Sequence, residues 1–164
     1  MAQELYGEAL RLAQPQRWCQ EVPRARFCRL FHLYVARSRS IAELLEGAES
    51  VWLLAATLGP DLELRVRQYL DERRVLRSHL LDRIGSHLVE EEVRDLDRFV
   101  TQQCAARGGW TTRRFSPGYG DFPLQAQEVF CGLARETLPE LELTEGGLVV
   151  PEKTVTAVKG AFQP

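Results

Sequence analysis

A chain of 164 residues with 45% hydrophobic content is long enough to bury a core and lies near the usual size of a single domain, so one domain over 1–164 is expected. Its 21 basic and 23 acidic residues leave a formal charge of −2, which excludes a global electrostatic attraction to nucleic acid or an anionic membrane and confines any anion site to a local cluster. No apolar run approaches the roughly 20 residues that span a bilayer, and the N-terminus Met-Ala-Gln-Glu-Leu lacks the basic and then apolar order of a signal peptide; the expected compartment is the cytoplasm.

Residues 3–14 carry Leu5, Ala9 and Leu12 at helical spacing and stop at Pro15, which predicts a short helix at an edge of the fold. Residues 30–35 are rich in apolar side chains (Leu30, Phe31, Leu33, Tyr34, Val35) and read as a strand, although periodicity alone does not separate it from a helix. Ser40-Ile41-Ala42-Glu43 has the form of a capping box and predicts a helix from Ser40 to about Glu46, ended by Gly47. The continuous run Val51–Ala56, stopped by Thr57-Leu58-Gly59-Pro60, is the pattern of a strand buried on both faces.

The period then changes. From Leu62 through Val66, Tyr69, Leu76, Leu80, Ile84 and Leu88 apolar positions recur at helical intervals, predicting one or two helices across 61–105, with 71–74 the place where a break would fall because the apolar spacing resumes afresh after it. Gly85-Ser86 within the second helix means either a close helix contact or room for a ligand. The run Glu90-Glu91-Glu92 with Arg94, Asp95, Asp97 and Arg98 reads as a solvated face. After Gly108-Gly109 and the loop 111–123, Asp121 is placed to cap a helix over roughly 122–137. Leu141–Leu143, Leu148–Val150 and Thr154–Val158 are short β-prone pieces at the C-terminal end.

The standard local hardware for dinucleotide binding, phosphate-loop chemistry, zinc hydrolysis and hydrolase elbows is absent from the sequence, and no nucleophile and base pair marks an independent small-molecule enzyme. Cys19, Cys28, Cys104 and Cys131 are 9, 76 and 27 positions apart, which fits neither a zinc nor a redox motif and suggests free, buried thiols. His79 and His87 lie eight apart on one helix without a third ligand nearby. The unusual segment is Thr111–Pro123, which concentrates Arg113, Arg114, Ser116, Tyr119, two glycines and two prolines. Proline presets φ and glycine admits positive φ, so Ser116–Gly120 should form a fixed turn, either a plain connector or a pre-shaped binding loop.

Arg114-Phe115-Ser116-Pro117-Gly118-Tyr119 resembles the Arg-x-Ala-Pro-Gly-Tyr element of the reactivation domain of cobalamin-dependent methionine synthase, and more closely the Arg-x-Ser-Pro-Gly-Tyr-Gly-Asp-x-Pro form of its short stand-alone relatives. The segments Ala55–Gly59, Leu81–Ser86 with Glu90, and Pro151–Val158 agree in the same order, so the likeness runs over about 50–160. The resemblance implies an α+β fold, a twisted and mainly antiparallel sheet with flanking helices. It also implies binding of S-adenosylmethionine, with the cobalamin supplied by a corrinoid-binding methyltransferase module and the electron by a flavodoxin-type reductant. Carried over by position, Arg114, Ser116, Gly118 and Tyr119 become ligand-binding candidates, with Tyr119 also the candidate catalytic residue facing ligand or corrin. The sequence departs from the family pattern at Ser86, where a ligand-binding glutamate is expected; Glu90, one turn later, is the candidate substitute. The rival expectation is a docking or regulatory protein of a corrinoid methyltransferase system that has lost the small-molecule site.

Overall fold

The computed structural model describes residues 1–163. In chain order the elements are α1 (Ala2–Leu12), β1 (Gln16–Pro23), α2 (Arg24–Leu30), α3 (His32–Val35), α4 (Arg39–Leu44), β2 (Ser50–Thr57), α5 (Asp61–Asp71), α6 (Val75–Ala105) and β3 (Trp110–Thr111). A 3-10 turn at Leu124–Ala126 leads into α7 (Gln127–Ala134), followed by β4 (Glu142–Leu143), β5 (Val149–Val150) and β6 (Thr154–Phe162). The fold is α+β: a four-stranded antiparallel sheet in the order β1-β2-β6-β3, helices on both faces, and a separate β4-β5 ribbon.

The run Val51–Ala56 is the central strand β2, buried on both faces as its unbroken apolar composition requires. Alternate side chains serve opposite layers. Val51 and Leu53 join Phe27, Phe31, Ile41, Phe122, Phe130 and Val158 beneath α2, α4 and α7. Trp52 and Leu54 pack against Leu96, Val100 and Cys104 of α6. The break between α5 and α6 falls at 72–74, where Arg73 takes a positive φ of 58°. α1 closes the end of the molecule by burying Leu5 and Ala9 against Leu58, Leu62, Tyr69 and Leu81.

Four local expectations are corrected. Residues 30–35 are helical: Phe27, Phe31 and Tyr34 recur at helical intervals, with Phe27 and Phe31 rings 4.6 Å apart and Phe31 edge-on to Phe130 at 5.4 Å, while Leu33 is left exposed. The cap of α4 is Ser38, whose Oγ accepts from the Ile41 N–H at 3.1 Å; Ser40 lies inside the helix, and Glu43 pairs with Arg39 rather than reaching back. Asp121 caps this same helix and not the one after it, and α7 is confined to Gln127–Ala134. Of the thiols, Cys104 and Cys131 are buried, but Cys19 is half-buried and Cys28 is exposed.

Two cross-layer ties involve the chain's two lysines, Lys159 on β6 and Lys153 immediately before it. Lys153 and Lys159 share the sheet face toward α6; the Lys153 Nζ lies 2.6 Å from Asp82 Oδ1 and the Lys159 Nζ 2.6 Å from Asp97 Oδ1. Six residues of strand and fifteen of helix both cover about 20 Å, so the two ion pairs fall in register along the interface. The charged run on α6 is therefore not simply solvated: Asp97 is spent on Lys159, and Glu92 and Asp95 hold Arg17 of β1.

Candidate functional site

The loop after β3 first behaves as a continuation of that strand. Thr112 donates its N–H to the Gly160 carbonyl at 2.9 Å, and Phe115 and Val158 exchange both backbone hydrogen bonds at 2.9 and 2.8 Å. After Phe115 the loop leaves the sheet. Antiparallel pairing alternates the direction of backbone groups, so Thr156, two residues from Val158, directs its N–H and C=O toward the vacated edge. The departing loop, this open edge and α6 enclose a cleft of about 450 Å³, a volume suited to a small-molecule ligand.

The loop is held from behind. Pro117 and Phe122 are buried, and three backbone bonds close the turn: Tyr119 N–H to Ser116 O at 3.2 Å, Phe122 N–H to Tyr119 O at 3.0 Å, and Gly118 N–H to Phe122 O at 2.8 Å. Gly118 has φ +89°, a conformation that other residues rarely adopt, and this explains glycine there. Asp121 clamps the turn to the start of α4, accepting from Ser38 Oγ at 2.7 Å and from the Arg39 N–H at 2.6 Å. The Ser38 hydrogen bond, opposed by desolvation and joined by those from Ser40 and Arg39, brings the Asp121 carboxyl down to about 2.

Within the cleft, Arg114 donates from Nη2 to Glu90 Oε1 across the gap between loop and α6. Arg94 approaches the same carboxylate oxygen at 3.7 Å, so Glu90 lies between two guanidinium groups. The Arg114 and Glu90 side chains keep 25% and 35% of their surface exposed, enough for a ligand to reach both charges. Ser116 lines the wall, and Tyr119 stands at the mouth with 68% of its surface exposed. Arg114, Ser116, Tyr119 and Glu90 thus come together at one site, whereas Gly118 shapes the turn without lining the cleft.

Ser86 is occupied elsewhere. Its Oγ donates to the Asp82 carbonyl at 3.1 Å and accepts from Lys153 Nζ at 3.1 Å, which places it in the β6–α6 interface and not among the cleft residues. Its neighbour Gly85 is a close-contact glycine: a Cβ there would come within 2.7 Å of Leu62 Cδ2 and 3.2 Å of Lys153 Cε. Sequence reasoning missed Arg113, Gln127 and the strand edge Thr154–Thr156 as cleft residues. Arg113 had a signal in its adjacency to Arg114; Gln127, at the start of α7, had none. Among the described residues no three His, Cys, Asp or Glu side chains gather as a metal-ligand set, and His79 and His87 are both exposed on α6.

No family model matches the sequence, and no curated protein matches it. Among solved structures the chain is similar to a crystal structure of the MetH reactivation domain bound to AdoHcy, with a TM-score of 0.52 and 16% sequence identity. The match covers 68% of this chain and 39% of that one, so the chain spans well under half of the structure it resembles. The likeness is one of fold: an antiparallel sheet with flanking helices, as in the MetH reactivation domain.

Proposed function

We propose that the cleft binds S-adenosylmethionine and that the protein is a reactivation-like module supporting reductive methylation of a corrinoid held on a partner protein. The observation that carries this reading is the Arg114–Glu90 pair, one accessible positive and one accessible negative charge facing each other in a cleft beside an open strand edge. An α-amino acid end bears the complementary pair: its carboxylate suits the Arg114 guanidinium bidentately, and its ammonium suits Glu90. The exposed face of Tyr119 offers a surface for a sulfonium cation or a flat ring at the mouth. The resemblance of the loop and the AdoHcy bound to the structural neighbour support the same ligand class.

In this reading the corrinoid of the partner would supply the methyl acceptor and a flavodoxin-type donor the one electron, while S-adenosylmethionine held by this chain would supply the methyl group and be left as S-adenosylhomocysteine. This chain's own contribution is positional. Arg114 and Glu90 fix the amino acid end, Ser116 and the Thr156 backbone line the adenosine side, and Tyr119 flanks the route by which the methyl leaves. Calorimetric titration tests the binding: wild type should bind S-adenosylmethionine, and Arg114→Ala should weaken it at least about tenfold. Absence of binding at millimolar ligand, or equal binding by the variant, would contradict it.

One observation favours a second reading. Arg114 is already neutralised by Glu90, which describes a cleft whose facing charges are satisfied without a ligand. A docking or regulatory protein of a corrinoid methyltransferase system would then retain the fold alone. Pull-down with a cobalamin-binding methyltransferase module separates the two, since only the first reading makes that association respond to S-adenosylmethionine.

A further inference from the structure

The sheet has two edges, and only one is used by the cleft. On the other lies β1, with no strand beyond it among the described residues. The directions of its backbone groups follow from the ladder: Phe115 and Val158 exchange hydrogen bonds on the β3 side, so Leu53, opposite Val158, bonds toward β1 and pairs with Gln20. Alternation then turns Gln16, Trp18, Gln20 and Val22 inward, and Arg17, Cys19 and Glu21 outward. Among the described residues no group bonds the outward N–H and C=O groups of these three. An edge of this kind is a template for another strand.

We propose that β1 is a homodimer interface, two copies of this chain pairing antiparallel about a two-fold axis at Cys19. The sequence is self-complementary in that register and in no neighbouring one. Cys19 faces Cys19 of the second copy, Arg17 faces Glu21, and Glu21 faces Arg17, so all six outward N–H groups find carbonyls. The next outward positions, Pro15 and Pro23, face each other at both ends; neither has an N–H, so the pairing stops with no donor stranded. A slip of two residues would set Arg17 against Cys19 or Pro23 and lose the charge match.

The side chains allow it. Arg17 uses Nε for Glu92 and Nη2 for Asp95, leaving Nη1 for the second copy, while the two Glu21 oxygens each accept one bond, from Ser50 and Arg107. On the opposite face the half-buried Trp18 meets Gln20 of the second copy. α6 packs over β2, and the two β2 strands would be three strand spacings apart, about 14 Å, which leaves room for both long helices on one face. The clefts, on the far edges, stay open at the two ends of an eight-stranded sheet.

Sedimentation velocity across a concentration series tests this. Wild type should show a reversible species of twice the 18.7 kDa chain mass. Arg17→Glu and Glu21→Arg should each raise the dimer dissociation constant at least about tenfold, and an equimolar mixture of the two should restore association, because each copy then supplies the other's opposite charges. Cys19→Pro, which removes an outward N–H and no ladder hydrogen bond within the chain, should abolish the dimer, with Cys19→Ala as the control for the lost thiol packing against α6. If any variant fails to fold, wild-type hydrogen exchange replaces it: the Arg17, Cys19 and Glu21 amides should become protected as concentration rises. A monomer at every concentration, a dimer unaffected by these changes, or folded swap variants whose mixture stays monomeric would overturn the proposal.

Discussion

Three carboxylates along one side of α6, Asp82, Glu90 and Asp97, meet cations from the C-terminal part of the chain, but the outer two and the middle one do so in different surroundings. Lys153, just before β6, and Lys159, within it, reach Asp82 and Asp97 with only 9% and 3% of their side-chain surface exposed. The middle carboxylate is met by Arg114 from a loop, with 25% exposed. The strand makes the difference: where β6 lies flat against α6 its lysines staple the layers, and where the loop leaves the β6 edge the cation comes from outside the sheet and a cleft remains. One helix stripe thus supplies both rivets and a site, and solvent access separates the two roles.

That contrast can be broken at the buried end first. Lys159→Met should cost about 3 kcal/mol, because it leaves Asp97 facing the interface without its cation, and urea unfolding at neutral pH would register it. Ligand binding by the folded fraction should be unchanged. In the cleft the order inverts. Arg114→Ala should lower stability by no more than about 1 kcal/mol, since the pair it breaks is partly solvated, yet it should remove the charge that orients a ligand. A variant that unfolds the protein as severely as Lys159→Met would show that Arg114 is a third rivet.

Gly85→Ala probes the interface between these extremes. The added methyl would press on the fully buried Leu62 and on the Lys153 stem, and a loss of about 1–2 kcal/mol is expected by thermal or urea unfolding. The smallest effect is at Asp121. Its folded-state value of about 2 lies below its ordinary 3.8, so the stability it contributes is present above 3.8 and is lost as pH falls from there through about 2. The unfolding free energy measured from about pH 5 down to pH 2 should therefore fall more steeply for wild type than for Asp121→Asn.

The parts of this architecture that were legible in the sequence are those where one physical demand dominates. Val51–Ala56 is apolar because both its faces are covered, and the 72–74 break shows where two helical stripes fall out of phase. β1 was not legible: as an edge strand it carries Arg17 before Trp18 and Gln20 and Glu21 before Val22, and a polar side chain tied to α6 helps erase the alternation. The segment 30–35 misled for the opposite reason, since apolar residues face both the core and solvent, and the helical spacing of Phe27, Phe31 and Tyr34 emerges only once Phe130 and Phe122 are placed around them. At the site, the arginine, proline and glycine composition marked the loop, and helical spacing carried Glu90 to the same wall. Gln127 and the Thr156 edge could not be read, because nothing local in a sequence records where a neighbouring strand stops.

The most direct test crosses the ligand's carboxylate with the protein's guanidinium. S-adenosylmethionine and its decarboxylated analogue would be titrated calorimetrically against wild type and Arg114→Ala. A cleft that reads the amino acid end through Arg114 should prefer the carboxylate-bearing ligand at least about tenfold in wild type and lose that preference in the variant. Equal binding of the two ligands by wild type, or a preference that survives in Arg114→Ala, would contradict the assignment of this cleft.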